Sequence, residues 1–298
     1  MKKTIRMLNI EDYTHLEAMN TGIEDDYIKH IFSRLISGYN RLYGLFIDGQ
    51  MISMGGHSIY AKRYAMLGRL RTDHQFKKND YATALMSYMM DEAFKIEGIQ
   101  WIGANTQESN AAAKRVMEKI GMVSQSVLHG AVTKDTSTLE SGSHVWKQLT
   151  DLQRKKEWLN KMYVQSSSPF PYECYYVFPG SSDLFQEQDL EKWSFHENEA
   201  QNRFLITKKD SKKHHYLHAI YPWNDITSQH GLWETISSEY QKLKMQTEGE
   251  TYIWMDLTKE EAGLLPGDHQ FELPSPWVLY GIERTKYQKL TRSRQNKL

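Results

Sequence analysis

The chain has 298 residues, and its 37 Lys+Arg balance 37 Asp+Glu, so the formal net charge is zero. That excludes the basic footprint of a nucleic-acid-binding domain, while 25% charged and 40% apolar residues exclude a disordered chain. The single cysteine, Cys174, cannot form an internal disulfide, and the start MKKTIRMLNIEDY lacks the apolar stretch of a secretory signal. No apolar run approaches the roughly 20 residues that cross a bilayer, so a soluble cytoplasmic protein is expected.

Residues 2–8 alternate as a first strand, and Asn9 or Asp12 is placed to cap a short helix through 15–19. Ile23, Tyr27, Ile31, Phe32, Leu35 and Ile36 recur near helical spacing and predict a second helix. Residues 41–60 read as a hairpin, because Asp48-Gly49 between apolar runs is a strong turn signal. The next run, 61–72, continues the meander into a basic loop. A helix is predicted over 81–97, with Ala82, Leu85, Met86, Met89, Ala93 and Ile96 on one face and Gly98 suited to a left-handed terminus. A strand over 100–104, a helix over 111–120 ended by Gly121, and a strand pair within 122–132 follow. The Ser/Thr/Gly-rich stretch 133–144 marks a junction, giving domains 1–143 and 144–298.

The second half reads as a charged helix over 145–163, then strands over 192–197, 202–209 and 214–223. A helix over 232–245, a strand over 251–257, a short helix near 260–264 and a strand over 277–284 complete it. The tail 289–298 is basic and polar and is expected to fray. Its element order roughly repeats the first half, although residue identity between the halves is too thin to show a duplication. His214, Tyr216 and His218 share one strand face, but no neighbouring cysteine or carboxylate completes a ligand set, so no metal is expected.

The chemistry concentrates in 67–123, read as strand, basic loop, helix, strand and helix. Lys77 and Lys78 lead into a helix start, where unpaired backbone N–H groups and the helix dipole favour an anion. Asp80 competes there: as an N-cap worth about 1 kcal/mol it would accept the same N–H groups and repel the anion. Lys77, Lys78 and Arg71 are the cations available to offset that repulsion. The plain alternative is a capped helix behind a solvated basic loop.

The run Lys77-Lys78-Asn79-Asp80-Tyr81-Ala82, followed by Thr83, resembles the Arg/Gln-x-x-Gly-x-Gly/Ala loop of the GNAT superfamily of N-acetyltransferases. Lys77 replaces Arg or Gln, Asp80 replaces the first glycine, and Ala82 keeps the small residue. Residues 110–122 are similar to the family's Asn-x-x-Ala-x-x-x-Tyr-x-Lys-x-Gly-Phe signature through Asn110, Ala113, Lys119 and Gly121, with Met117 in place of the tyrosine and Met122 of the aromatic. The resemblance covers roughly 2–132. It implies an α/β (α+β) fold, a GNAT-type twisted mixed sheet flanked by helices, with a second α/β domain behind it. If that half is GNAT-like, its segment 221–231 holds no basic pair and has lost CoA binding.

The resemblance further implies acetyl-CoA as cosubstrate. Its pantetheine arm would pair with the backbone of Leu70, Arg71 and Thr72, and its pyrophosphate would sit on Lys77, Lys78, Asn79, Asp80, Tyr81, Ala82 and Thr83. Asn110 and Ala113 would border it where two strands splay. The implied activity is acetyl transfer to a primary amine, on a small molecule or peptide, by direct attack on the thioester. The other class is a non-catalytic GNAT-fold CoA-binding or scaffold protein, which Asp80 and Met117 favour.

Candidate catalytic groups are few. Glu24, with Asp25 and Asp26, would attract a cationic amine or simply cap the second helix. Tyr43 and Tyr88 would act as acids toward the sulfur, or pack as half-buried aromatics. His57 would relay a proton, or stand as an ordinary strand histidine.

Overall fold

A computed structural model describes residues 2–295, with side chains through 293. The backbone packs as two compact units, residues up to 125 together with those from 278 onward, and residues 126–277. The expected junction at 143/144 therefore falls inside the second unit. A strand carries the chain from one unit to the other, not the Ser/Thr/Gly-rich stretch.

The first unit runs β1 (Lys3–Met7), α1 (Tyr13–Ala18), α2 (Tyr27–Leu35), β2 (Asn40–Ile47), β3 (Gln50–Tyr60), β4 (Tyr64–Thr72), α3 (Tyr81–Lys95), β5 (Trp101–Gln107) and α4 (Ala111–Lys119). Strands β1 to β4 pair antiparallel in sequence order, and β5 joins β4 in parallel. The hairpin turn places Asp48 at φ 46° and Gly49 at φ 87°, two left-handed residues in succession, which matches the twist of the flanking strands. Strand alternation sorts the two faces. Leu42, Phe46, Met51 and Met54 bury against Leu16, Ile28, Phe32 and Leu35 of α1 and α2. Tyr43, Gly55 and His57 point the other way, where α3 brings Met89 within 3.1 Å of the Cβ position of Gly55 and Tyr88 against Tyr43.

Residues 122–132, expected as a strand pair, form one long strand, β6 (Val123–Thr133), that leads into the second unit. There follow β7 (Lys147–Leu149), α5 (Leu152–Leu159), the hairpin β8 (Pro169–Glu173) and β9 (Tyr176–Pro179), α6 (Glu187–Leu190), β10 (Ser194–Glu197), β11 (Phe204–Ser211), β12 (His215–Ile220), α7 (Leu232–Met245), β13 (Thr251–Leu257) and α8 (Lys259–Leu264). The charged helix expected from 145 starts only at Leu152, because 147–149 pair with β10 as an edge strand. In this unit β12 and β13 are parallel and the other paired strands antiparallel. Trp233, Ile236 and Tyr240 of α7 bury against Leu205, Leu217, Ile253 and Met255.

The chain ends with β14 (Trp277–Glu283) and α9 (Arg284–Gln295), which return to the first unit. The tail expected to fray is helical through Gln295. Tyr287 stacks on Phe94 at 4.4 Å between ring centres, and its hydroxyl donates to Asp91 at 2.7 Å, which anchors the helix. The rest of that tail, 296–298, lies outside the described residues. Among the described residues no helix is long and apolar enough to cross a membrane.

Candidate active site

The site is built on a parallel pair that stops early. β4 pairs with β5 from Tyr64↔Trp101 to Leu67↔Ala104, four residues of a nine-residue strand. Just beyond, the β3–β4 register slips opposite Met54–Gly56, and Arg69 takes a left-handed φ of 59°. A bulge of this kind bends its strand. Residues 68–72 consequently stay on β3, and the pairing of β4 with β5 ends at Leu67↔Ala104. The Asp73 N–H donates to the Ile52 carbonyl, and the Arg71 carbonyl accepts the Ser53 hydroxyl, so alternation turns the N–H groups of Leu70 and Thr72 toward the open side.

The loop after β4 ends at an uncapped helix. Lys78 (φ 68°) and Asp80 (φ 55°) are both left-handed, and no side chain caps α3, whereas Asp26 caps α2 and Asn110 caps α4. Asp80 was expected to cap the helix and does not. A capping side chain folds back from an extended backbone, which a left-handed residue does not provide. Its carboxylate instead meets the Lys119 ammonium at 2.5 Å, and that hydrogen bond holds the carboxyl below its usual range. The expected repulsion of an anion is thus offset by Lys119, from the second motif, rather than by Arg71. Lys77 and Lys78 are exposed, and neither has an ion-pair partner among the described residues. Tyr81, Ala82 and Thr83 lie half-buried at the helix start.

Arg71 points elsewhere. Its guanidinium donates twice to Asp26, at 2.6 and 2.9 Å, linking β4 to the start of α2. Nearby, the Asp73 carboxylate accepts the Asn20 N–H at 2.9 Å, and the His74 N–H donates to the Asn20 carbonyl at 2.8 Å. The α1–α2 connection is therefore fastened to the free end of β4. Nothing local in the sequence signals these bonds, since 45 residues separate Asp26 from Arg71.

Three of the four candidate catalytic residues come together. The Tyr43 ring lies 5.7 Å from His57 and 5.8 Å from Tyr88, on the α3 face of the sheet. His57 stands opposite Leu67, the last residue of β4 that pairs with β5. It is fully buried, and neither ring nitrogen has a partner among the described residues. Burial, aided by Arg41 and Arg69, lowers its pKa to about 4, while burial raises the Tyr43 hydroxyl to about 12. Glu24 is exposed in the α1–α2 connection and is not part of this group. Asn110 accepts the Ala113 N–H at 3.1 Å through its side-chain oxygen, leaving the amide NH2 at the exposed end of α4. Met117 is buried and has no proton to give.

The second unit repeats the plan of antiparallel meander, helix and parallel strand, yet closes both features. β12 pairs with β13 over five of its six residues, so no gap opens. At the start of α7, a Cβ on Gly231 would lie 2.3 Å from the His144 carbonyl oxygen. The amides of Ser141 and Ser143 donate to Glu234 in the first turn, and the Trp146 N–H donates to Thr235. The chain's own backbone covers that helix end.

The stretch 13–123, which contains the gap and the uncapped helix, matches the family model of the acetyltransferase (GNAT) domain. It is a GNAT domain. A GCN5-related N-acetyltransferase from Sphaerobacter thermophilus is similar over 94% of this chain and 95% of its own, at 12% identity and TM-score 0.57. A putative acetyltransferase from Pyrococcus horikoshii is similar over 96% and 90%, at 10% identity and TM-score 0.52. At such identities the likeness concerns the fold alone. No curated protein matches the chain.

Proposed function

We propose that the GNAT domain transfers an acetyl group from acetyl-CoA to a primary amine by direct attack of the amine on the thioester carbonyl. The observation that carries this is the parting of β4 from β5 after Leu67–Ala104, directly ahead of a helix whose first turn no side chain caps. In this reading the N–H groups of Leu70 and Thr72 pair with the pantetheine arm as an added strand would. The first amides of α3, with Lys77 and Lys78, take the pyrophosphate. The amine attacks as the thioester C–S bond breaks, its proton passes to solvent, and the CoA thiolate leaves. A thiol of pKa about 8.5 leaves without an acid, so Met117 does not block the reaction. His57, with a pKa of about 4, is too weak a base to take the proton near neutrality. Exposed Glu24 and Asp25 favour a cationic acceptor.

Replacing Lys77 and Lys78 together by Ala is expected to raise the acetyl-CoA Kd roughly tenfold, about 1.4 kcal/mol, by calorimetry. An unchanged Kd would place the pyrophosphate elsewhere. Asp80→Gly is expected to tighten acetyl-CoA several-fold, because it suits the left-handed position, removes a carboxylate and frees Lys119. Weaker binding would contradict that account. CoA release measured across a panel of amines then separates an enzyme from a CoA-binding scaffold: tight acetyl-CoA binding with no release for any amine favours the scaffold.

A further inference from the structure

In the second unit the turn between β8 and β9 lays Cys174 over one face of the sheet. That face carries Lys208 and Asp210 of β11, Tyr216 and His218 of β12, and Trp254 of β13, as the strand register requires. The Cys174 N–H donates to Asp210 at 2.7 Å, fixing the turn in place. One ligand-capable atom from each of Cys174, Asp210 and His218 lies within 4.8 Å of the other two. His218 is fully buried. Its Nε2 meets the Asp256 carboxylate at 2.7 Å, and its Nδ1, also buried, has no partner among the described residues. An orphaned buried nitrogen is costly, so it asks for an explanation.

We propose that Cys174, Asp210 and His218 hold a zinc ion, through the thiolate, one carboxylate oxygen and Nδ1, with water in the fourth position. Mixed sulfur, nitrogen and oxygen donors suit tetrahedral Zn2+, and three protein ligands leave one place open. Asp256 then plays a positioning part. By accepting a hydrogen from Nε2 it fixes the tautomer that presents Nδ1 as a lone pair, and the Trp254 indole N–H donates to the same oxygen at 3.1 Å.

The local charges agree. Around the cluster stand three carboxylates, Glu173, Asp210 and Asp256, against two ammonium groups, Lys208 and Lys212. One negative charge is left over while the thiol keeps its proton. A divalent ion that displaces the thiol proton to solvent brings the sum to zero. Lys208 does not stand in for the metal, because its ammonium is held by the Tyr172 carbonyl over the Trp193 ring. Sequence reading found no partner for the histidines because Cys174 and Asp210, near neighbours in the fold, are 36 residues apart in the chain.

The test uses the full chain, stripped with a chelator and titrated with Zn2+ and, separately, Co2+. The expected result is one zinc per chain, a raised Tm, and a thiolate-to-cobalt charge-transfer band. Cys174→Ser should abolish that band, and Asp256→Asn should keep it while weakening the metal about 10- to 100-fold. His214→Ala should change nothing. Circular dichroism of the stripped variants checks folding; if His218→Gln fails to fold, Cys174→Ser, nearly equal in volume, decides. No stoichiometric zinc in the parent chain, or equal retention by Cys174→Ser, overturns the site.

Discussion

Asp26→Ala is expected to lower the unfolding free energy by about 3–5 kcal/mol, measured by urea denaturation. The Asp26 side chain is 0% exposed and Arg71 only 16%, so the substitution strands a guanidinium in a largely dry place. Burial alone would raise the Asp26 carboxyl, but the Arg71 guanidinium and the Ile28 amide outweigh it and hold it below the usual range. The cap on α2 is lost as well. Asp26→Ala combined with Arg71→Met should be less damaging than the single change, because no charge is then left unpaired. Function should follow a particular pattern. With the α1–α2 connection loosened, the KM for an amine acceptor should rise more than the Kd for acetyl-CoA, whose proposed backbone partners are on β4. A loss of under 1 kcal/mol would show that Arg71 finds water or another partner.

The elements of the first unit were legible because short-range rules generate them. The Asp48-Gly49 turn and Gly121 closing α4 each depend on a few neighbouring residues and stand as read, while the apolar stripe of α3 holds at Leu85, Met86, Met89 and Ala93 but not at Ile96, which lies exposed just past the helix end at Lys95. Long-range pairing was not legible. Residues 147–149 looked helical by charge pattern but form an edge strand against β10, and the basic tail from 289, expected to fray, continues through Gln295 a helix that Tyr287 anchors on Phe94. The return of residues 278–293 to the first unit has no local marker, since an apolar strand carries no record of its neighbour.

The site divides the same way. The basic loop and the small residue at Ala82 are local features, and they lie just ahead of α3 and in its first turn. The fate of Asp80 was not readable, because it depends on a left-handed backbone that an Asp-Tyr-Ala run does not announce. Lys119, its partner, lies 39 residues on. Likewise the bulge at Arg69 that parts β4 from β5 is set by the β3 register, not by a glycine signal at Arg69 itself. What the sequence reported was the chemistry available at each end of the gap, and the fold supplied the gap.

Between pH 6.5 and 4 the chain is expected to lose about 3 kcal/mol of stability through His57 alone. The sign follows from the two protonation equilibria. Burial first, then Arg41 and Arg69, depress the folded pKa to about 4, whereas the unfolded histidine titrates near 6.5. Within that window the unfolded chain binds a proton that the native chain refuses, so stability is whole above the window and falls as pH drops through it. His196 and His218 are also lowered by burial and act in the same direction, so the parent must be compared with His57→Leu. Those two contributions cancel in the difference, which should run flat above pH 7 and fall across the window. Urea unfolding at half-unit pH steps measures it. The same curve judges the catalytic assignment. A histidine poised as a general base would titrate near 7 in the folded state, and the difference curve would then be level from pH 6.5 downward. Parallel curves for parent and variant would return His57 to the list of bases for the acetyl transfer, and a falling difference removes it.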